Sequence, residues 1–293
     1  MILQPSPMPG NSSSSLPKAV LAMLVFITIA LGACTNKPLQ VFGDRLFVEA
    51  RVNDQQVTAL LDSAAEMSFM DRTWAEENGI AFAGAETAKG SGGEEQVAFA
   101  KGVSVKTLGV RLEDLTVAVL DLADLSTRLI GRPTHFILGR ELFDRERLAI
   151  DIEGGTIAVA ARDIKPAGVA LALSSERGLE AFGVAVNDVP VQADFDLGNG
   201  SEILIGRDFA AKLGLLADPA SLPTRKGGGV GGEIEHKIVH LARLEIAGVK
   251  FDDVEAAVDE TDSAGDLNIG VRVLKNFRIT VDFSEHMLWL DPR

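Results

Sequence analysis

Two stretches of the chain end an apolar run on an aspartate. The first is 57–64, Val-Thr-Ala-Leu-Leu-Asp-Ser-Ala, and the second is 191–198, Val-Gln-Ala-Asp-Phe-Asp-Leu-Gly. Short runs of this kind predict buried strands. A carboxylate at the end of a buried strand is costly to desolvate unless a partner or hydrogen bonds compensate it. Two such carboxylates, Asp62 and Asp196, in equivalent halves of one chain indicate a shared pair.

The two aspartates belong to a repeat that covers most of the chain. Residues 52–62 and 186–196 are identical at six of eleven positions. The Gly-rich stretches 90–94 and 229–233 also align, and the offset between the copies stays between 131 and 139 residues. Such a steady offset is hard to obtain by chance. It predicts the duplication of one β-rich unit, with a joint near 162–168.

The elements around the aspartates are mostly strands joined by turns. Asp71 is a good N-cap for a short helix over 72–77, and a second short helix is predicted over 140–144. The Gly- and polar-rich residues 83–95 predict a mobile loop or hairpin tip. In the first copy, strands are predicted at 46–52, 57–61, 96–106, 110–121, 136–139, 148–152 and 156–160.

One aspartate per β-rich copy, a later Gly-rich hairpin and a still later apolar-apolar-Gly resemble the retropepsin-like aspartic proteases. The resemblance covers nearly all of 44–293 and is to two such units fused in one chain. It implies an all-β, bilobed acid-protease fold, with an N-terminal lobe at 44–164 and a C-terminal lobe at 165–293. A peptide cleft is expected between the lobes.

The resemblance also implies the chemistry of the site. In this family two aspartates share a proton because like charges so close cannot both ionise; one activates a water and the other protonates the substrate. Asp62 and Asp196 match these positions, and an apolar neighbour at Leu197 favours Asp196 as the proton holder and Asp62 as the base. The supporting loops are Ser63, Ala64, Leu197 and Gly198. The flap glycines are Gly90, Gly92, Gly93, Gly229, Gly231 and Gly232.

A retropepsin-type structural ion pair is implied as well. The acidic residue four after the first aspartate is Glu66, and the arginine directly after the late glycine is Arg140. The second copy has Gly200 and Val271 at these places, so acid and base are missing together.

The two loops depart from the family pattern. Ala64 replaces a glycine, and Leu197 replaces the hydroxyl residue that braces the loop across the two lobes. The chain also contains no tyrosine, so a pepsin-type flap tyrosine is excluded. Three functions therefore stay open: an aspartic endopeptidase, a non-catalytic pseudoprotease that binds peptides in the cleft, and an envelope scaffold whose cleft is closed or filled.

The N-terminus has the pattern of an export signal. An apolar segment at 19–31, too short to span a membrane, leads into Leu-Gly-Ala before Cys34, which resembles a bacterial lipobox. The expectation is a signal peptide over 1–33, a lipid on Cys34, the chain's one cysteine, and a tether over 34–43. With Thr35 next, the protein is expected on the outer membrane, facing the periplasm.

The composition limits the classes of molecule that the protein is expected to bind. The net charge is −14, and removal of 1–33, which carries one lysine and no acid, makes it more negative. Such acidity argues against nucleic acid, so the expected partner is a peptide or unfolded protein. The four histidines, His135, His236, His240 and His286, are scattered, and neither a metal site nor a cofactor is predicted.

Overall fold

The computed structural model of the protein describes residues 36–90, 92–175, 178–261 and 264–293. The predicted signal peptide, 1–33, and the predicted lipidation site, Cys34, lie outside these residues. Within the described ranges, no helix is both long and apolar enough to cross a membrane.

The described part of the first half contains eleven strands and three short helices. The strands are β1 (Lys37–Pro38), β2 (Gln40–Phe42), β3 (Arg45–Val52), β4 (Gln55–Leu61), β5 (Phe69–Asp71), β6 (Ala83–Gly90), β7 (Gly93–Thr107), β8 (Val110–Leu120), β9 (Phe136–Leu138), β10 (Leu148–Asp151) and β11 (Thr156–Val159). The helices are α1 (Arg72–Glu77), α2 (Ala123–Leu125), which continues as a π-helical turn over Ser126–Ile130, and α3 (Arg140–Arg145).

The second half repeats this order. Its described strands are β12 (Val169–Ser174), β13 (Ala181–Val186), β14 (Val189–Phe195), β15 (Ile203–Gly206), β16 (Thr224–Gly229), β17 (Gly232–Ile246), β18 (Val249–Asp259), β19 (Leu267–Ile269), β20 (Phe277–Asp282) and β21 (Met287–Pro292). Its helices are α4 (Arg207–Lys212) and α5 (Val271–Leu274). Strands β13 to β19 follow one another as β3 to β9 do, with α4 and α5 at the places of α1 and α3.

Each half closes a barrel of its own. Strands β3, β4, β9, β5, β8 and β7 are neighbours in that order, and β7 pairs back with β3. Strands β13, β14, β19, β15, β18 and β17 repeat this arrangement, and β17 pairs back with β13. The predicted all-β, two-lobed architecture is therefore confirmed.

A further sheet connects the lobes. Its strand order is β1, β11, β10, β20, β21 and β12, so the N-terminal half supplies the first three strands and the C-terminal half the last three. The lobes meet where β10 and β20 pair antiparallel, with Ile150 opposite Ile279. Both isoleucines are buried, so main-chain hydrogen bonds and apolar packing together fix the halves to each other.

Strand β3 shows how the sequence pattern builds the barrel and leaves a second face. Its even positions, from Leu46 to Val52, point into the barrel and are buried. At its odd positions Glu49 and Arg51 are exposed, whereas Arg45 and Phe47 are covered. This covered outer face lies at the start of β3, which pairs with the end of β4, directly before Asp62.

Most local predictions hold, with two differences. The helix over 72–77 is confirmed, and the Asp71 carboxylate accepts from the Trp74 N–H at 2.9 Å as its cap. Of the loop or hairpin tip predicted over 83–95, the hairpin is found, but most of this stretch forms its strands and only the residues between β6 and β7 form the tip. Part of the predicted tether, 34–43, is also not a tether, because β1 pairs with β11 and β2 pairs with β3. Main-chain pairing with sheet edges fixes this segment, and its Leu39 is buried in the core.

An ion cluster stabilises the junction of the lobes. Asp282 at the end of β20 is fully buried and accepts from Arg147 Nε at 3.0 Å and Arg162 Nε at 2.8 Å. Burial alone would raise the pKa of Asp282, but the bonds from Arg162, Ser284 and Arg147 outweigh it and lower the pKa to about 2. Arg147 and Arg162 come from the first lobe and the joint, so this carboxylate connects both to the second lobe.

We expect Asp282→Asn to lower the free energy of unfolding by about 3–5 kcal/mol at neutral pH, since it leaves the buried Arg147 without its partner. The contribution of Asp282 is present above its ordinary pKa of 3.8 and is lost as pH falls through about 2. The difference between the two proteins in urea unfolding should therefore shrink toward pH 2. Asp291→Asn, which removes a partner of the exposed Arg278, is the control. Equal losses in both variants would contradict this role.

Candidate active site

Each aspartate follows the end of a barrel strand, and the neighbouring strand fixes its backbone. Strand β4 runs parallel to β9, and the Asp62 N–H donates to the Leu138 carbonyl at 3.0 Å. Strand β14 runs parallel to β19, and the Asp196 N–H donates to the Ile269 carbonyl at 3.1 Å. The same bond in both copies holds the two aspartates at equivalent ends of their barrels.

One serine connects the two loops across the lobes. Ser63 Oγ donates to the Phe195 carbonyl at 2.9 Å and accepts from the Leu197 N–H at 2.9 Å. Ser63 is buried, so water does not compete for either bond. Leu197 has no hydroxyl to make the reciprocal pair. The loops are therefore held together by a single serine.

The Asp62 carboxylate lies against the loop that carries Asp196. A methyl group built on Gly198 would be 2.5 Å from Asp62 Oδ2 and 2.6 Å from Oδ1, so only glycine fits. At the equivalent position of the first loop, Ala64 donates its N–H to Asp62 Oδ1 at 3.0 Å. Ala64 does not have a positive φ, so its methyl group brings no backbone strain.

The two carboxylates, both half-buried, receive different numbers of hydrogen bonds. Asp196 accepts from the N–H of Gly198 at 2.8 Å, the N–H of Asn199 at 3.0 Å and Nδ2 of Asn268 at 2.8 Å. Asp62 accepts from the N–H of Ala64, and the N–H of Ala65 also lowers its pKa, so the side-chain donor Asn268 is what distinguishes Asp196. Donors that point at a carboxylate stabilise its charged form, so Asp196 is the better site for the negative charge.

The causes of the two pKa shifts reflect the same difference in hydrogen bonding. Burial, with the neighbouring charge of Asp196, raises the pKa of Asp62 to about 7. Burial also raises the pKa of Asp196, but the hydrogen bond from Asn268 opposes it. These hydrogen bonds favour the charge on Asp196 and the shared proton on Asp62, whereas the sequence led us to expect the reverse. Leu197 is directed into the core and does not surround Asp196, and the pair titrates as a unit.

Asn268 was missed in the sequence, although a signal was present. It is a polar residue inside the apolar strand β19, where the first copy has Ile137. A second amide supports it, because Asn199 Nδ2 donates to Asn268 Oδ1 at 2.9 Å. A polar side chain in a buried strand needs a partner, and here that partner is Asp196.

Two glycine-rich hairpins, β6–β7 and β16–β17, stand at the positions of the predicted flaps. Their tips touch, and the Gly92 N–H donates to the Val230 carbonyl at 2.7 Å. Methyl groups built on Gly90, Gly92, Gly93 or Gly231 would collide with the opposite hairpin. Gly229 and Gly232 pair with each other at the tip of β16–β17. The glycines are thus required by the close approach of two backbones.

An arginine of the first lobe holds the flap of the second. Arg128, in the π-helical turn, donates from Nη1 to the Gly227 carbonyl and from Nη2 to the Gly229 carbonyl, both at 3.1 Å. Asp124 orients it through a bond to Nη2 of 2.8 Å. No sequence motif marked Arg128, because its partners are main-chain carbonyls nearly one hundred residues away.

The predicted pair of Glu66 and Arg140 does not form. Arg140 Nε instead donates to Asp144 at 3.0 Å, Nη1 to the Gly178 carbonyl at 2.8 Å, and Nη2 to Glu180 at 3.3 Å. Asp144 lies one helical turn away and is the easier partner. Glu180 and Gly178 belong to the second lobe, so Arg140 connects the lobes, while Glu66 stays exposed.

The histidines take no part in this site. His236 is buried in β17 with Nδ1 at 2.9 Å from the Val258 carbonyl, and His240 lies on the same strand near Asp253. In the described ranges no three histidine, cysteine, aspartate or glutamate residues are grouped so as to hold a metal ion.

Comparisons with known proteins give a family match and a similar solved structure. A family model described as aspartyl protease matches residues 48–142 and 182–273, one segment in each lobe. Among solved structures, the chain is similar to a retropepsin-like aspartic protease from Rickettsia conorii. The identity is 24%, the match covers 42% of this chain and 88% of that chain, and the TM-score is 0.35. A search of curated proteins found no match.

Replacement of Asp62 by the isosteric amide tests whether its charge is unfavourable in the folded protein. A protonated Asp62 contributes stability that is complete below its ordinary pKa of 3.8 and is lost as pH rises through about 7. We therefore expect Asp62→Asn to raise the free energy of unfolding by about 1–4 kcal/mol near pH 8 and to change it little near pH 4. Asp163→Asn, an exposed site, is the control. A gain that does not depend on pH would contradict the assignment.

Removal of the Arg128 guanidinium should free the second flap. With two charge-assisted bonds lost, we expect amide hydrogen exchange at 227–232 to rise about tenfold or more in Arg128→Ala. Exchange in the barrel strand β14 should stay as in the wild type. Arg111→Ala, which removes an exposed partner of Glu113, is the matched control. Unchanged flap exchange in Arg128→Ala would show that the flap closes without this contact.

Proposed function

The chain belongs to the aspartyl protease family, and we propose that it is an aspartic-type endopeptidase that activates a water between Asp62 and Asp196. The observation that carries the proposal is the pair of hydrogen bonds of Ser63, which holds the two loops together across the lobes. The raised pKa of Asp62 adds a general acid that is still protonated near pH 6. The reaction needs acid, base and water, and no cofactor.

The hydrogen bonds suggest which residue does what. The Asp196 carboxylate takes a proton from the water, whose oxygen bonds to the peptide carbonyl carbon, and Asp62 gives its proton to the carbonyl oxygen. In the second step Asp196 protonates the amide nitrogen, a hydroxyl of the intermediate returns its proton to Asp62, and the C–N bond breaks. Both residues are then restored. These roles follow from the three hydrogen-bond donors to Asp196, which stabilise its charged form.

The expected substrate is an extended peptide or an unfolded protein segment. The tips of the flaps are rich in glycine, and backbone that carries few side chains suits binding of another backbone. Val230 at one tip packs against a buried apolar cluster of the first lobe that includes Phe47 and Leu60.

A non-catalytic peptide-binding protein is the second candidate. The observation that favours it is Leu197, which removes the reciprocal hydroxyl and leaves the bracing of the loops to Ser63 alone. A binding protein needs the cleft but not the positioned proton.

We also propose that the protein is anchored in the bacterial envelope. The support is the sequence before Cys34, which has the features of a lipobox, and Thr35 after it, which fits the outer membrane. A site facing the periplasm would meet unfolded exported proteins as substrates.

Peptide hydrolysis across pH tests the proposed activity. We expect cleavage of an unstructured protein at acid pH, with activity falling as pH rises through about 7, where Asp62 loses its proton. Asp62→Asn and Asp196→Asn should each abolish it. Leu197→Thr, which restores the hydroxyl, should raise activity. Leu197→Val, which introduces a side chain of the same shape as threonine but without the hydroxyl, should not. An inert wild type that Leu197→Thr does not rescue would contradict the endopeptidase and leave the binding protein as the candidate.

Phase partitioning in detergent tests the anchor. We expect the wild type expressed in a bacterial host to enter the detergent phase, because an acylated N-terminal cysteine carries two or more chains. Cys34→Ser should remain in the aqueous phase or keep its leader. Thr35→Ser, which keeps the cysteine, should partition as the wild type does. Wild type in the aqueous phase would overturn the lipid assignment.

A further inference from the structure

Three cations stand side by side on the outer face of the first barrel. Arg51 on β3 lies directly opposite Lys106 on β7, and Lys106 lies directly opposite Arg111 on β8. Neighbouring strands are about 4.8 Å apart, so the row is roughly 10 Å long. Like charges at directly opposite positions of a sheet repel each other and weaken the pairing. The pairing of these strands alone therefore gives no reason for such a row.

The charge order of this row is an exception within the described strands. Wherever else two residues among lysine, arginine, aspartate and glutamate lie directly opposite each other in these strands, their charges have opposite signs. Examples are the pair of Lys226 and Glu235 and the pair of Arg243 and Asp252. Elsewhere, therefore, the cross-strand charges stabilise the sheets, and only here do they oppose the pairing.

The second copy of the unit provides an internal comparison. At the same places it has Ala185, Glu245 and Lys250, which lie directly opposite one another in the same order. An acid stands in the middle of this row, and Lys250 Nζ is 3.8 Å from the Glu245 carboxylate. The barrel therefore forms with an ordinary charge order, and the three adjacent cations are a feature of the first copy alone.

A groove of about 460 Å³ lies over the row, and we call it the three-cation groove. Its lining includes Arg51, Lys106 and Arg111, the turn between β7 and β8, and Glu49 as the one acid. Three cations and one acid give the lining a net charge of +2, whereas the whole chain has a net charge of −14. The volume lies within the usual range of small-molecule sites. The groove is thus a local basic site on an acidic protein.

The one acid of the lining already has hydrogen-bond partners within the sheet. The Glu49 carboxylate accepts from Gln40 Nε2 at 2.9 Å, from Thr58 Oγ1 at 3.2 Å and from Gln56 Nε2 at 3.4 Å. These neutral donors from the neighbouring strands β2 and β4 hold the carboxylate on their side of β3. Glu49 therefore does not pair with the three cations.

The cations use only part of their donors. Lys106 Nζ donates to the Asp54 carboxylate at 2.6 Å, Arg51 Nη1 donates to the Asp54 carbonyl at 3.2 Å, and Arg111 pairs with Glu113. The side chains of Asp54 and Glu113 are 70% and 62% exposed, and neither residue lines the groove. Because an arginine carries five N–H donors and a lysine three, most of the donors remain available to a ligand.

We propose that the three-cation groove binds a ligand that carries two or more linked phosphate groups. A guanidinium binds phosphate through two parallel hydrogen bonds, and the ammonium group between the two arginines adds a point charge. Linked phosphates present acceptor oxygens on every side along their length, as a row of cations requires, whereas a carboxylate accepts in one plane. The groove lies outside the cleft, because β7 runs from the flap at Gly93 to its other end at Thr107, which lines the groove. Such groups occur in soluble diphosphate compounds and in lipid headgroups.

Titration calorimetry on the full-length protein in a nonionic detergent tests the groove. The probes are inorganic pyrophosphate, inorganic phosphate and citrate, near neutral pH, without divalent metals and at constant ionic strength, so that screening is the same for all three. We expect pyrophosphate to bind one to one, and about tenfold or more tightly than phosphate or citrate.

A lipid added to the micelles distinguishes the two sources of the ligand. Cardiolipin carries two phosphate groups in its headgroup, and phosphatidylcholine is the matched lipid without net charge. Displacement of pyrophosphate by cardiolipin but not by phosphatidylcholine supports the site and assigns a lipid headgroup to it. Pyrophosphate binding that neither lipid displaces supports the site and assigns a soluble ligand.

Variants assign the binding to the row. Lys106→Glu gives the first copy an acid in the middle, as in the second copy, and should weaken pyrophosphate binding about tenfold or more. Arg51→Gln, which removes one charge at an exposed site, should weaken it about fivefold. Lys250→Gln, at the place of Arg111 in the second copy, is the matched control and should bind as the wild type does. Urea unfolding of each variant verifies that the fold is intact.

The outcomes separate this inference from the proposed activity, since none of the measurements depends on peptide cleavage. Because the groove lies outside the cleft, Asp62→Asn should bind pyrophosphate as the wild type does. Four results would overturn the phosphate site: no measurable pyrophosphate binding, equal affinities for the three anions, binding that survives Lys106→Glu, or binding that is lost in Asp62→Asn.

Discussion

Repulsion between two carboxylates held side by side is the constraint on which the rest of the structure depends. Neither Asp62 nor Asp196 can move away, because each N–H is bonded to the strand beside it and Ser63 ties one loop to the other. The connecting sheet and the buried Asp282 fix the two lobes to each other, so the two aspartate loops stay close together. The repulsion is relieved by a proton, which turns an unfavourable pair into an acid and a base.

The copies of the duplicated unit differ most around that proton. An exact repeat would give two equivalent carboxylates and no reason for the proton to prefer one. Here Asn268 stands where the first copy has Ile137, and it donates to Asp196 alone. The hydrogen bonds between the two loops are also one-sided, because Ser63 has a hydroxyl and the equivalent residue, Leu197, has none. The asymmetry gives each aspartate its own role within a nearly symmetric scaffold.

The fold could be predicted from the sequence further than the site could. Strand periodicity and the repeat were sufficient for two β-rich halves with Asp62 and Asp196 at strand ends, because these patterns are local or repeat at a steady offset. The two-lobed fold came from the family resemblance. Contacts between lobes carry no such signal. Arg140 was therefore paired with Glu66 of its own lobe, whereas Asp144 and the second lobe supply its partners.

The central claim is that Asp62 holds a proton because it is buried and lies beside the charged Asp196. Carboxyl carbon NMR of aspartate-labelled protein measures this directly. The account predicts one aspartate that titrates near pH 7. That signal should be absent in Asp62→Asn and should move to lower pH in Asp196→Asn, where the neighbouring charge is gone. Aspartates that all titrate near their ordinary value of 3.8, or a high signal that persists in Asp62→Asn, would contradict the account.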